Sequence, residues 1–125
     1  MPPRRRPVPP QGAPARRERW SASASRGDVA RLDIPADASR ARRFEIFCSL
    51  AVAHPGAGEA WHALRVLVDG AQEWSRRIAT DPGGRDTLDL RFRREVPVGR
   101  ALRLTAIAEV GRAVPLALSV SAEEE

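Results

Sequence analysis

The chain of 125 residues has no lysine, no asparagine, no tyrosine and one cysteine, Cys48. A single cysteine excludes an internal disulfide. All 21 basic residues are arginine, a skew that, with abundant Ala, Gly and Pro, reflects a GC-rich coding bias more than a physical demand. No apolar run approaches the ~20 residues that span a bilayer. The N-terminal arginines are not followed by an apolar segment ahead of a cleavage site, so no secretory signal is read and a cytoplasmic protein is expected. Gly-x-Ser-x-Gly, P-loop and Gly-x-Gly-x-x-Gly patterns are all missing. Catalysis is therefore not expected, and no cofactor is implied.

Charge is present but unevenly placed. Residues 1–26 hold seven arginines against Glu18, whereas residues 27–125 hold fourteen against fifteen acids. The basicity belongs to the N-terminal stretch and the body is nearly neutral. Residues 1–27 are rich in Pro, Arg, Ala and Ser with almost no aliphatic side chains. Such a segment buries too little surface to offset its ordering entropy, so a disordered tail with polyproline II character near Pro7–Pro10 is expected. Arg4, Pro7 and Pro10 fit an R-x-x-P-x-x-P ligand pattern, and Arg26-Gly27-Asp28 spells RGD; both are matches that chance supplies readily in such a composition. Arg4, Arg5, Arg6, Arg16, Arg17 and Arg19 are the candidate polyanion contacts, against the plainer reading of a solvated, solubilising tail. Trp20 is its one bulky residue.

Residues 28–122 alternate apolar and polar side chains with the period of a strand. Val29–Ile34 is a first short strand, stopped by Pro35, and Ala36–Arg42 a loop or single helical turn. In Arg43–Ala53, Phe44, Ile46, Cys48, Leu50 and Val52 share one face, and the small second face suggests cover on both sides. The stretch Ala60–Thr80 is a hairpin signal: two strand-like arms meet at Asp69-Gly70, a pair suited to the positive φ of a type I′ turn. His62, Leu64, Val66 and Val68 alternate on one arm; Trp74 and Ile78 share a face with Gln72 and Arg76 on the other. Thr87–Val96 alternates most cleanly, interrupted by Arg94. Two further strands carry Leu102–Val110 and Val114–Val120. Pro115 lacks a donor, so an edge position or a bulge is expected there. Residues 123–125 form an acidic end. No segment has a sustained helical stripe. About seven short strands separated by turn chemistry predict an all-β antiparallel sandwich or jelly roll.

Three constellations bear on chemistry. His54 and His62 flank a Gly-rich loop, but a transition-metal site needs three or four ligands, and Cys48 reads as a small core residue. Asp81, Asp86 and Asp89 surround Gly83-Gly84, where Asp and Gly are ordinary turn residues as well as possible oxygen ligands. No metal is expected from either. Trp61 and Trp74, with His62 beside the first, are the candidate ligand-binding residues, since aromatic rings on sheet faces suit stacking on flat apolar surfaces such as sugar rings.

Leu64-Arg65-Val66-Leu67-Val68-Asp69-Gly70, then Glu73-Trp74-Ser75, and later Gly99-Arg100-Ala101-Leu102-Arg103-Leu104, resemble carbohydrate-binding β-sandwich modules of the NPCBM and galactose-binding-like kind over about residues 43–121. The resemblance implies a β-sandwich and a glycan ligand. The expected function is a non-catalytic binding or interaction module for a glycan or a protein partner. The alternative is an accessory domain tethered to nucleic acid or another polyanion through its arginine-rich tail.

Overall fold

A computed structural model describes residues 17–24 and 28–125. Eight strands follow one another: β1 (Arg19–Ala24), β2 (Val29–Ile34), β3 (Arg42–Ala53), β4 (Trp61–Val68), β5 (Ala71–Ala79), β6 (Arg85–Val96), β7 (Leu102–Gly111) and β8 (Val114–Glu124). The antiparallel pairs are nested about the central β4–β5 hairpin: β3 with β6, β2 with β7, β1 with β8. Rolling this long ribbon over itself adds the pairs β3–β8 and β4–β7. The result is a β-sandwich of two four-stranded sheets, β1-β8-β3-β6 and β2-β7-β4-β5, in jelly-roll order.

Alternation decides what fills the space between the sheets. Phe44, Ile46, Cys48, Leu50 and Val52 of β3 are fully buried, as are Leu64 and Val66 of β4, Leu104 and Ala106 of β7 and Val120 and Ala122 of β8. The second face of β3 differs from the expectation of cover on both sides. Phe47, Ser49, Ala51 and Ala53 are only half-buried, screened by neighbouring side chains such as Arg91, whose guanidinium lies 4.8 Å from the centre of the Phe47 ring.

The N-terminal expectation is corrected in part. Residues 1–16 and 25–27 lie outside the described residues, but Arg19–Ala24 is a strand and not a disordered tail, pairing with β8 from Arg19↔Glu123 to Ala24↔Leu118. What composition missed is that Trp20, Ala22 and Ala24 fall on alternate positions and pack against the core. The acidic end is corrected too: Glu123 and Glu124 belong to β8. Glu18, Arg40, Arg42 and Glu124 join the start of β1 to the end of β8. Arg40 donates to Glu18 Oε2 at 2.8 Å and to Glu124. Arg42, whose side chain is 1% exposed, donates to Glu18 Oε1 at 2.8 Å and to the Pro35 carbonyl at 2.8 Å. The Arg40 hydrogen bond holds the Glu124 carboxyl below the usual carboxylate range.

The hairpin turn forms as expected, with Asp69 at φ 50° and Gly70 at φ 84°. Asp69 is also tied to β7: its N–H donates to the Arg103 carbonyl at 2.8 Å and its carboxylate accepts from the Arg103 N–H at 2.9 Å. Beyond the turn the register shifts. Leu67 pairs with Gln72 but Val66 with Trp74, so Glu73 is an extra residue. This bulge puts Gln72 on the outer face, opposite to Trp74, which corrects the expectation that they share one. Glu73 accepts from Arg94 at 2.8 Å. The arginine that interrupts the apolar row of β6 thus bridges the edge strands of the two sheets. Pro115 follows the bulge expectation and not the edge one. Strand β8 lies between β1 and β3, but its register on β3 shifts at Ala51/Val52, and its pairing with β1 ends at Leu118.

Candidate functional site

The three candidate ligand-binding residues do not form one site. The β4 backbone turns Trp61 outward and His62 inward, and β5 turns Trp74 inward opposite Val66. Trp74 is half-buried and packs against the core. His62 is completely buried. Its Nδ1 is hydrogen-bonded to the Thr80 hydroxyl at 2.8 Å, while Nε2 has no partner among the described residues. Desolvation pushes the His62 pKa below its ordinary value, against a smaller opposing pull from Asp86. His54 is half-buried, and its Nδ1 accepts from the Gly56 N–H at 3.0 Å. Each histidine is committed to its own loop or core neighbour. Cys48 lies in the core, where burial pushes its thiol up to about 12. Among the described residues no group of three or more His, Cys, Asp or Glu side chains converges as metal ligands would. Asp81 and Asp86 accept hydrogen bonds from backbone N–H groups of their own turn, from Gly83 at 2.8 Å and Asp81 at 3.0 Å.

Trp61 is held from two sides. The Arg77 guanidinium lies 3.3 Å from the ring centre, close enough for cation–π attraction. The indole edge fills the space that a side chain at position 111 would occupy, so Gly111 is required by contact and not by φ. Trp61 therefore props Arg77 on the outer face of its sheet. Trp61 and Arg77 also line a cavity of about 600 Å³ at the sandwich end, with His54, Glu59 and Thr80.

Beside this pair lies a shallow groove of about 340 Å³ on the same outer face. Strand register builds it from two rows. Glu109, Ala63 and Arg77 stand side by side on β7, β4 and β5; Ile107, Arg65 and Ser75 form the next row. Ala63 is the small floor between longer neighbours. Gln72 completes the rim, whereas Arg76 pairs with Leu64 and keeps the inward side that Trp74 and Ile78 share. Arg65 is half-buried, and its Nε has no hydrogen-bond partner among the described residues. Among those residues, no carboxylate lies within ion-pair distance of Arg65, Arg76 or Arg77. The outer face of the other sheet contrasts with this. There Arg43 pairs with Glu95 at 2.6 Å, Arg91 with Glu45 at 2.6 Å and Arg93 with Glu125 at 2.7 Å. The sequence shows Arg65 and Arg77 as outward positions. Only the register sets them diagonally across from each other with Glu109 beyond Ala63.

Of the candidate polyanion contacts, Arg4, Arg5, Arg6 and Arg16 lie outside the described residues. Arg17 and Arg19 are exposed at the start of β1, at the opposite edge of the sandwich from β5. Among the described residues no helix is long and apolar enough to cross a membrane.

No protein-family model matches the chain, and no curated protein matches it. Among solved structures, the chain is similar to dimeric latent PorU from Porphyromonas gingivalis at 16% identity and a TM-score of 0.46, over 85% of this chain and 11% of that one. It is also similar to the extra small virus (XSV) VLP of the giant freshwater prawn Macrobrachium rosenbergii at 12% identity and a TM-score of 0.40, over 99% of this chain and 94% of that one. The chain thus spans about a tenth of the length of the PorU chain.

Proposed function

We propose that this protein is a non-catalytic jelly-roll binding module that engages a glycan or protein partner on the outer face of its β2-β7-β4-β5 sheet. The observation that carries this reading is the groove at Ala63, with hydrogen-bonding groups from three strands around a small-residue floor. Its volume falls at the lower end of the ~300–1,000 Å³ typical of ligand sites. The resemblance of the β4–β5 hairpin to carbohydrate-binding sandwiches agrees with it. Among the described residues, His62 is sealed in the core, His54 bonds its own loop and Cys48 is buried. Trp61 takes a different part from the stacking platform expected from sequence, because Arg77 already covers its ring. A glycan array and a cross-linking capture, both with the full chain and with Ala63→Trp, test the reading. Binding that the wild type shows and Ala63→Trp loses, with the fold kept, supports it; a chain that binds neither glycan nor protein, or binds equally with the groove filled, overturns it.

The second reading is a domain tethered to nucleic acid or another polyanion by its N-terminal arginines, favoured by seven arginines against Glu18 in residues 1–26. Such binding falls steeply with salt and disappears when the tail arginines are replaced.

A further inference from the structure

We propose that the groove on β7, β4 and β5 binds an acidic sugar, a sugar unit carrying a carboxylate or sulfate, with Arg65 and Arg77 on its oxyanion and Glu109 on its hydroxyls. The inference rests on the binding-module reading and names the ligand class of that same surface.

Guanidinium groups are donors only, five N–H each, and their strongest partners are oxyanions held in a fork. The Arg65 Nε is removed from water and has no acceptor among the described residues. A buried donor left unpaired is costly; Nε itself is out of a ligand's reach, but Arg65 lines the groove and its terminal N–H groups have no acceptor among the described residues, so an oxyanion over Ala63 meets free donors of the same guanidinium. Arg77 lies diagonally across the same strand pair and is steadied by the Trp61 ring beneath it, so little freedom is lost when it binds.

Glu109 brings a carboxylate to the β7 side of the groove. Glu109 stands on β7 and Arg77 on β5, on either side of Ala63, and among the described residues no ion pair joins them. A carboxylate accepts hydrogen bonds and donates none when ionised. It repels a chain of phosphates but welcomes hydroxyl donors. Ser75 and Gln72 add a hydroxyl and an amide on the β5 side. A ligand that satisfies both ends carries an oxyanion and, a few ångströms away, free hydroxyls. Acidic sugars have that combination; a phosphodiester backbone does not.

The test is calorimetric titration of the full chain with four probes: an oligogalacturonate, a heparin-derived oligosaccharide, neutral dextran and oligo-dT. Uronate and sulfate as the source of the oxyanion are told apart by the first two. Binding of either acidic saccharide, with Arg65→Gln weakening it at least tenfold and a variant with serine at positions 4, 5, 6, 16 and 17 keeping it within about twofold, supports the proposal. Exposed Arg77→Gln serves as a second variant if Arg65→Gln lowers the melting temperature, and is expected to weaken binding about threefold. Glu109→Gln decides the ligand class. A several-fold loss marks a hydroxyl-bearing ligand, whereas a gain marks a plain polyanion and overturns the proposal. Equal binding of oligo-dT, loss of binding only in the tail variant, or no acidic saccharide bound at millimolar concentration also overturns it. If dextran binds as well as the acidic saccharides, the acidic-sugar proposal falls while the binding-module reading stands.

Discussion

His62 is a residue whose chemistry is altered by its surroundings. It occupies an inward position of β4 that an aliphatic side chain would fill without cost, and desolvation holds its pKa below 6.5. The folded state therefore keeps the ring neutral at pH values where the unfolded chain already takes up a proton. Stability is fully present above pH 6.5 and falls as pH drops below it, levelling off once the folded-state pKa is passed. The slope is at most about 1.4 kcal/mol per pH unit for one such group. Urea midpoints measured from pH 7.5 to 5 are expected to show this decline, and His62→Phe is expected to flatten it. An unchanged slope in the variant would assign the decline to other groups. The alternation of His62 with Leu64, Val66 and Val68 is legible in the sequence, and it places the imidazole in the core. The sequence does not show that Thr80, eighteen residues on, meets its Nδ1.

At the scale of elements, the β4–β5 hairpin sets where the groove residues fall. Its turn holds Asp69 and Gly70 at positive φ, and a side chain at position 70 would meet open space. Gly70→Val is thus costly through backbone strain alone. The expected loss is about 1–3 kcal/mol in a urea melt, and a variant that melts like the parent would show that the turn relaxes freely. The hairpin was readable because Asp-Gly between alternating arms constrains the chain locally. The Glu73 bulge was not. Nothing in Gln72-Glu73-Trp74 marks one residue as extra. The pairing of both arms around it, with Arg94 reaching Glu73 across the sheet edges, does so. Because a one-residue shift flips every side chain to the other face, the bulge lets Trp74 enter the core while Gln72 stays on the groove rim.

For the whole molecule, the nested ribbon brings its two ends together, and the ionic cluster of Glu18, Arg40, Arg42 and Glu124 closes it. Arg42 is the buried member. Removing Glu18 leaves that guanidinium without its carboxylate partner, an outcome that typically costs about 3–5 kcal/mol. Glu18→Ala is expected to lower stability on that scale and to speed hydrogen exchange of the Arg19–Ala24 amides first. Breaking the exposed Arg43–Glu95 pair by Glu95→Ala is expected to cost less than about 1 kcal/mol. Equal effects of the two substitutions would remove the special standing of the clasp.

Period-two alternation and turn chemistry by themselves determined the all-β class, the hairpin at Asp69-Gly70 and the inward rows of β3, β4, β6 and β7, because these depend on neighbours a few residues apart; in β8 the alternation holds for Leu116, Leu118 and Val120 but not for Val114, which lies beyond the register shift and is exposed. Tertiary structure alone decided that Arg19–Ala24 is a strand, since its small apolar positions have no meaning without β8 beside them. It also decided that Trp61 and Trp74 lie on opposite faces of one sheet. Glu109, Ala63 and Arg77 meet only because β7 and β5 both pair with β4, and strand pairing between segments far apart in the chain is set by the packing of the whole ribbon.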